Sequence, residues 1–500
     1  MSCDEPRSHL SSTPVIASVT TNGARDSRVS VFDPHTPHLK MYRRFLIAIA
    51  VLIPLSFECR ADERPANIIY IMLDDAGYND FGAMGSDDVH TPNFDRMCRE
   101  GIRFTDHYSG SAVCAPTRCV LMTGLHTGHC RRRNNAASAS VDQADEGKLV
   151  FLKDEDVTVA ESLQAAGYVT GGIGKWGLGN PGSAGTPDKQ GFDHFLGYLD
   201  QVHAHDHYTD WLWNDGERME TGKRYSHTLF EEDSLRFIEE NREKPFFLYL
   251  PYCLPHGKYV IDHDEPAYQL YKDKPWSQTV KNYAAMITRA DETVGKILDR
   301  LVELGIDDDT LVFYTSDNGP NQPFAKSIQS NSPFQGIKRE LNEGGIRAAM
   351  AVRWPGHVPV GMTSDFIWDM RDVFPTLCDV ANAETPSNLD GISVLPTLLG
   401  KHQQPHDHLY WEFSAGSQQA VRMGNWKGIR NGTHGAVRLF DLANDPSESN
   451  DLASSNAEVA SRIARIMDAS HVPSPFWPLQ EKVSPKKNRK KQPAKNVSEN

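Results

Sequence analysis

Asn67-Ile68-Ile69-Tyr70-Ile71-Met72-Leu73, followed at once by Asp74-Asp75-Ala76-Gly77, is an apolar run that ends in two carboxylates. A run of this length, bounded by a turn, reads as a strand buried on both faces, the kind that builds parallel sheets. Open α/β sheets collect ligands beyond the carboxyl ends of such strands, which is where Asp74 and Asp75 fall. Adjacent carboxylates repel unless a cation joins them or a turn takes them up, and this stretch alone leaves both readings open. With only oxygen donors in sight, a cation held here is hard, such as Ca²⁺ or Mg²⁺, rather than zinc.

The same texture repeats outward. Val169–Ile173, Pro245–Leu250, Thr310–Thr315 and Arg347–Val352 read as further buried parallel strands. Asn93–Glu100, Val157–Ala166, Thr228–Asn241 and Val280–Leu304 carry helical periodicity, clearest in the last, with Ala284, Ile287, Val294, Ile297 and Leu301 on one face and Gly305 after it. The alternation predicts an α/β fold, a large, mainly parallel or mixed sheet flanked by helices. Near residue 400 the pattern changes to short runs at Leu409–Phe413, Gln419–Met423, Trp426–Arg430 and Val437–Asp441, then a helical stretch at Ala457–Met467. These predict a smaller C-terminal antiparallel sheet plus helix. The expected organisation is a main domain over 62–398, an α+β subdomain over 399–471 and a basic disordered tail over 472–500, with Lys486-Lys487-Asn488-Arg489-Lys490-Lys491 as its charged run.

Over 500 residues, 39% hydrophobic and 24% charged is an ordinary globular composition, and a net charge of −14 argues against nucleic acid as a partner of the body. Residues 1–40 are polar and aperiodic. Met41-Tyr42-Arg43-Arg44, the apolar stretch Phe45–Phe57 and Ala61 then form a secretory signal over 41–61, which makes Met41 the expected start and 1–40 upstream sequence. The stretch is short for a membrane span. The expected product is therefore periplasmic or secreted, delivered by the export machinery, with no stable membrane span. Cysteines stand at 3, 59, 98, 114, 119, 130, 253 and 378 without metal-ligand spacing; a disulfide between two of Cys98, Cys119 and Cys130 is compatible with export.

Three more clusters sit at element ends. Cys114-Ala115-Pro116-Thr117-Arg118 places a thiol where a loop enters a helix, either a reactive group or a small buried residue beside a helix-opening proline. Ser316-Asp317-Asn318-Gly319 follows a strand and can complete a metal shell with Asp74 and Asp75. Gly174-Lys175-Trp176-Gly177 follows another and offers a cation for an anion, as do Lys338 and, when protonated, His256 in Leu254-Pro255-His256.

Taken in order, Asp74-Asp75, Cys114–Arg118 with Leu121-Met122-Thr123-Gly124, Gly174-Lys175-Trp176, Leu254-Pro255-His256, Asp317-Asn318-Gly319 and Lys338 ahead of Glu343-Gly344-Gly345 resemble the type I, formylglycine-dependent sulfatases, arylsulfatase-like members of the alkaline-phosphatase-like superfamily. The resemblance runs from about residue 65 to 440. It implies a sulfuric ester hydrolase whose Cys114 is oxidised by a maturation enzyme to Cα-formylglycine, hydrated to a gem-diol. By the same resemblance Asp74, Asp75, Asp317, Asn318 and residue 114 hold Ca²⁺, Arg118 orients the modified side chain, and Lys175 and Lys338 neutralise the sulfate. One hydroxyl attacks sulfur, His256 protonates the leaving alcohol, and the second hydroxyl then loses its proton so that the carbonyl reforms and sulfate leaves.

One position departs from the pattern. Many relatives read G-K-W-H-L-G, with a histidine that helps reset the gem-diol, whereas this chain has Gly177. The role is vacant or passes to His126, His129 or a member of His203-Ala204-His205-Asp206-His207; for His205 and His207 contact with the leaving sugar is the preferred expectation. The expected substrate is a sulfated glycan, with Tyr208–Trp213 suited to stacking on sugars. The alternatives are a phosphate or phosphonate monoester hydrolase on the same scaffold, or a non-catalytic polyanion-binding protein if Cys114 stays a thiol.

Overall fold

The computed structural model describes residues 65–136 and 149–481. The expected upstream segment, the secretory signal and the lysine-rich run lie outside the described residues. In chain order the strands are β1 (Asn67–Asp74), β2 (Ile102–Phe104), β3 (His107–Tyr108), β4 (Val169–Lys175), β5 (His194–Tyr198), β6 (Trp211–Asn214), β7 (Glu217–Glu220), β8 (Phe246–Pro255), β9 (Thr310–Ser316), β10 (Met350–Arg353), β11 (Met362–Ser364), β12 (Trp368–Asp369), β13 (Leu409–Phe413), β14 (Gln418–Met423), β15 (Trp426–Asn431) and β16 (Arg438–Asp441).

Ten of them form one sheet in the order β11-β2-β10-β9-β1-β8-β4-β5-β6-β7. Its centre is parallel: β1 pairs with β8 and β9, and β4 pairs with β8 and β5, all in parallel. β1 is buried along its whole length, with Ile69, Ile71 and Leu73 in the core on one face and Ile68, Tyr70 and Met72 in the core on the other. The helices Ser226–Asn241 and Gln278–Glu303 cover the first face; Cys114–Thr123, Val159–Ala165 and Val373–Ala381 cover the second. Local sequence sets their ends: Thr158 and Glu161 form a capping box, and the Ser277 side chain accepts from the Val280 amide.

One strand runs against expectation. The run read as a parallel strand at Arg347–Val352 is β10, which begins at Met350 and is antiparallel to both β9 and β2. Between β9 and β10 the described chain has only the short helices Gln322–Ser327 and Glu343–Ile346, no crossover helix, so it re-enters from the opposite end. Arg347 is left outside, paired with Glu343 at 2.8 Å and Asp106 at 2.6 Å.

The C-terminal sheet β13-β14-β15-β16 is antiparallel throughout, and the helix Ala457–Ser470 packs on it through Ile463 and Met467. Its other face shares one apolar cluster with the main domain, where Trp411, Phe413 and Ile429 meet Tyr108, Val113, Leu341 and Ile346. Residues 472–481, placed by sequence in a solvated tail, dock instead. Trp477 is buried against Val150 and its indole N–H donates to the Arg131 carbonyl, because one large aromatic finds an apolar seat. Cys98, Cys119 and Cys130 are free thiols, as are the other described cysteines. No helix among the described residues is long and apolar enough to cross a membrane.

Candidate active site

The carboxyl ends of β1, β4, β8 and β9 open onto one buried cluster. Asp74 ends β1, and Asp75 follows in the left-handed region at φ 70°, so its carboxylate turns back over the strand end. The turn is pinned to β9: the Asp75 amide donates to Asp317 Oδ1 at 3.0 Å, the Asp317 amide to the Leu73 carbonyl at 3.0 Å, and the Ala76 amide to Ser316 Oγ at 3.0 Å.

Cys114 opens its helix with no side-chain cap. The free Ala115 N–H is taken by Asn135 Oδ1, and the helix stops at Gly124, at φ 66°. Cys114 Sγ lies 3.1 Å from Asp74 Oδ1 and 3.9 Å from Asp75 Oδ1. One turn on, Arg118 is fully buried and reaches three elements, with its terminal nitrogens 2.8 Å from the Lys175 carbonyl, 3.2 Å from Asp317 Oδ2 and 3.4 Å from Asp74 Oδ2.

Lys175 Nζ sits 2.5 Å from Asp74 Oδ2, and Lys338 Nζ 2.5 and 2.6 Å from the two Asp75 oxygens and 3.5 Å from the thiol. His256 Nε2 is 3.2 Å from Asp75 Oδ2. The structure thus brings together Asp74, Asp75, Cys114, Arg118, Lys175, His256, Asp317, Asn318 and Lys338. It adds Asn321, whose amide donates to Asp75 Oδ2 at 2.8 Å, and Tyr283, whose hydroxyl donates to the Asp75 carbonyl at 3.1 Å. Neither was singled out by a motif: Asn321 follows the Asp317–Pro320 turn after β9, and Tyr283 comes from the helix Gln278–Glu303, which only the fold delivers here.

The cluster is strongly polarised. Burial pushes Asp74 up, but Lys175, His256, Arg118 and Lys338 outweigh it and hold Asp74 well below the carboxylate range. Asp75 is lowered in the same way, burial being overcome by His256 and Lys338. Asp317 has no lysine in contact; burial and Asp74 raise it to about 7. Burial and then Asp74 push the Cys114 thiol well up, so the unmodified side chain is a neutral thiol and a poor nucleophile. Burial also depresses His256 to about 3, with Asp75 and Asp74 pulling the other way.

These residues fit a hard cation. Carboxylate oxygens dominate the cluster, and beside them Asn318 Oδ1 is buried without a hydrogen-bond partner while its amide nitrogen donates to Asp75 at 2.7 Å. Asp74, Asp75, Cys114 and His256 each offer a donor atom within 4.8 Å of the others.

The histidines divide. His205 packs its ring against His256 at 4.5 Å and sits at the site. His207, expected at the substrate, is fully buried, with Nε2 2.8 Å from the His256 carbonyl; it holds the loop that carries His256. His126 and His129 pack ring to ring at 4.0 Å and face Asp390, not the strand ends, so neither takes the place left at Gly177. There the chain is at φ +81°, and a Cβ would collide with the side-chain amide of Gln201.

The sulfatase family's sequence pattern matches residues 66–383, and the pattern described as N-sulphoglucosamine sulphohydrolase, C-terminal, matches residues 336–470. The chain is 29% identical over 461 residues to N-acetylgalactosamine-6-sulfatase of Homo sapiens, covering 81% of this chain and 84% of that one. It is 30% identical over 477 residues to arylsulfatase G of Rattus norvegicus, covering 82% and 87%. Among solved structures, Ps i-CgsB in complex with k-i-k-neocarrahexaose superposes with a TM-score of 0.72 at 27% identity, over 84% of this chain and 94% of that one. The match of the sulfatase pattern over more than half of the chain, on a fold shared with these enzymes, means that the chain belongs to the type I sulfatases of the alkaline-phosphatase-like superfamily and is a sulfuric ester hydrolase.

Proposed function

We propose that the enzyme releases inorganic sulfate from O-sulfated glycans, with Cys114 converted to Cα-formylglycine and a Ca²⁺ ion held by Asp74, Asp75, Asp317 and Asn318. The observation that carries this reading is the setting of Cys114: a buried thiol, held protonated, 3.1 Å from a carboxylate oxygen and 3.5 Å from an ammonium. A soft, neutral thiol is the wrong group for a nest of hard donors, whereas an oxygen-bearing replacement suits it. The hydrated aldehyde supplies a hydroxyl nucleophile and a second hydroxyl through which sulfate can be released; a plain serine or cysteine lacks that exit. Ca²⁺, when bound, supplies positive charge that acidifies a hydroxyl and screens the sulfate oxygens.

The other residues act as the chain holds them. Arg118 fixes Asp74 and Asp317 against the Lys175 loop. Lys175 and Lys338, both kept charged by their carboxylates, exchange part of that pairing for the sulfate oxygens. His256 moves a proton from its ring nitrogen to the leaving alcohol. With burial holding it near 3, it takes up that proton only when an anionic sulfate arrives beside it, which raises its pKa. His205, beside it, contacts the leaving sugar.

Glycan specificity draws support from the relatives, one an N-acetylgalactosamine-6-sulfatase and one solved in complex with k-i-k-neocarrahexaose. Export through the signal at 41–61 and a maturation enzyme belong to the same proposal. Peptide mass spectrometry on protein from the native host tests it: residue 114 is expected as an aldehyde or its hydrate, and active protein carrying an intact thiol there contradicts it. Aryl sulfate and aryl phosphate offered in parallel separate it from phosphoester hydrolysis.

A further inference from the structure

The segment Leu199–His207 touches both the Lys175 and the His256 arms of the site. On one side it extends the parallel β4–β5 ladder beyond Lys175: the Trp176 amide donates to the Tyr198 carbonyl at 2.8 Å and the Gly177 amide to the Leu199 carbonyl at 3.1 Å. On the other it backs the His256 loop, through the His207 bond to the His256 carbonyl and the His205–His256 ring contact. Its own turn is fixed, because Asp200 Oδ1 accepts from the Val202 amide at 2.7 Å and the His203 amide at 2.9 Å.

Gln201 lies between these two braces. Both of its side-chain polar atoms, Nε2 and Oε1, are buried and have no hydrogen-bond partner. An unmade bond to a buried polar atom is costly, so such a group calls for an explanation, and an amide with both ends open is one that awaits a ligand. Its neighbour supplies the second observation. Gly177 stands two residues after Lys175, and the space where its Cβ would be is filled by Gln201 Nε2. A side chain at 177 and the amide of Gln201 are therefore mutually exclusive occupants of one space, two residues along the chain from Lys175.

We propose that Gln201 is a substrate-contacting residue of this sulfatase, its carboxamide N–H donating to an oxygen of the sulfate group, and that residue 177 is glycine in order to admit it. The assignment rests on the reading of the site only in placing the sulfate against Lys175 and Lys338, with its ester oxygen towards His256. Whichever way the amide is turned, one end is a donor and the other an acceptor, so the sulfate takes the N–H and the carbonyl end is left for a hydroxyl. An amide carries no proton to give or take near neutral pH. Gln201 thus orients and binds, and does not replace a histidine as a base.

The test is a double-mutant cycle on the full, matured chain, read by aryl sulfate kinetics and by calorimetric binding of inorganic sulfate in the presence of Ca²⁺. Gln201→Ala is expected to lower kcat/KM about ten- to a hundredfold, to weaken sulfate binding similarly, and to leave the pH profile unmoved. Gly177→Ala, which displaces the amide and is also strained at φ +81°, is expected to weaken sulfate binding as much alone and little further in the Gln201→Ala background, its backbone strain showing as a similar loss of Tm in both backgrounds. Gln201→Glu keeps the shape, repels the anion and should bind sulfate less well than Gln201→Ala at equal thermal stability, which guards against loss of fold as the cause. The assignment is overturned if Gln201→Ala binds sulfate within twofold of wild type, or if the Gly177 and Gln201 effects on sulfate binding simply add. Because binding is measured without turnover, an inactive but sulfate-binding wild type would indict the formylglycine reading and leave the assignment standing on the binding cycle.

Discussion

Arg118 has no route to solvent, and its terminal nitrogens are divided between two carboxylates and a backbone carbonyl. Removing it leaves Asp74 and Asp317 short of a counter-charge inside the protein, so Arg118→Ala should cost about 3–5 kcal/mol in a urea titration as well as abolishing turnover. Arg118→Lys should recover little activity, since one ammonium cannot reach three acceptors in a planar fork; near-wild-type stability for Arg118→Ala would refute this account of it. Asn318 makes a different prediction. In the proposed shell its orphan Oδ1 would hold Ca²⁺, so Asn318→Ala should shrink the rise in Tm that added Ca²⁺ gives the wild type, and an undiminished rise would remove it from the shell. At this scale the sequence was readable wherever a functional group directly follows a buried strand, as Asp74, Asp75, Lys175 and Asp317 do. It was silent at Gln201 and Asn321, because a lone amide in a loop carries neither periodicity nor spacing. At His207 the alternating neighbours hide its burial and its contact with the His256 carbonyl.

Elements meet through polar groups as well as apolar faces. Asp291, in the middle of the Gln278–Glu303 helix, accepts from the Asn93 and Phe94 amides at 2.8 Å each and so caps the helix Pro92–Glu100. Burial raises its pKa to about 7 despite those bonds. The native protein therefore holds a proton there that the unfolded chain releases near pH 4. The contribution of this group to stability is full below about pH 4, declines as pH rises to about 7 and is level above. Asp291→Asn should remove that slope, worth on the order of 2–4 kcal/mol across the window, from unfolding free energies measured between pH 4 and 8. An unchanged slope would mean that Asp291 is ionised throughout. Element types were legible because period 2 and period 3.6 patterns survive in a single chain. Strand direction was not: an apolar run such as Met350–Val352 looks the same whether it lies parallel or antiparallel, and only the missing crossover helix decides it.

Over the whole molecule, the small C-terminal sheet is part of what holds the site. Glu343, a few residues after Lys338, is buried and bonded by Lys427 Nζ at 2.6 Å, Arg347 at 2.8 Å and the Tyr108 hydroxyl at 2.7 Å, and Arg422 also reaches Tyr108. Burial works against this carboxylate, but Lys427, Arg347 and Arg422 hold it far below its usual range. Lys427 and Arg422 come from β15 and β14, so the subdomain supplies countercharge as well as the apolar cover at Trp411 and Phe413. Deleting residues 399–500 should yield insoluble protein, and Lys427→Met should cost on the order of 3 kcal/mol; a soluble, folded 62–398 fragment would show the two parts to be independent. The texture change near residue 400 marked this sheet in the sequence, while its dependence on Glu343 became visible only in three dimensions. The most direct test of the account is sulfate released from a sulfated oligosaccharide by matured wild type and by Cys114→Ala, assayed side by side. Steady release is expected from the wild type and none above background from Cys114→Ala; equal release by both would rule out residue 114 as the source of the nucleophile.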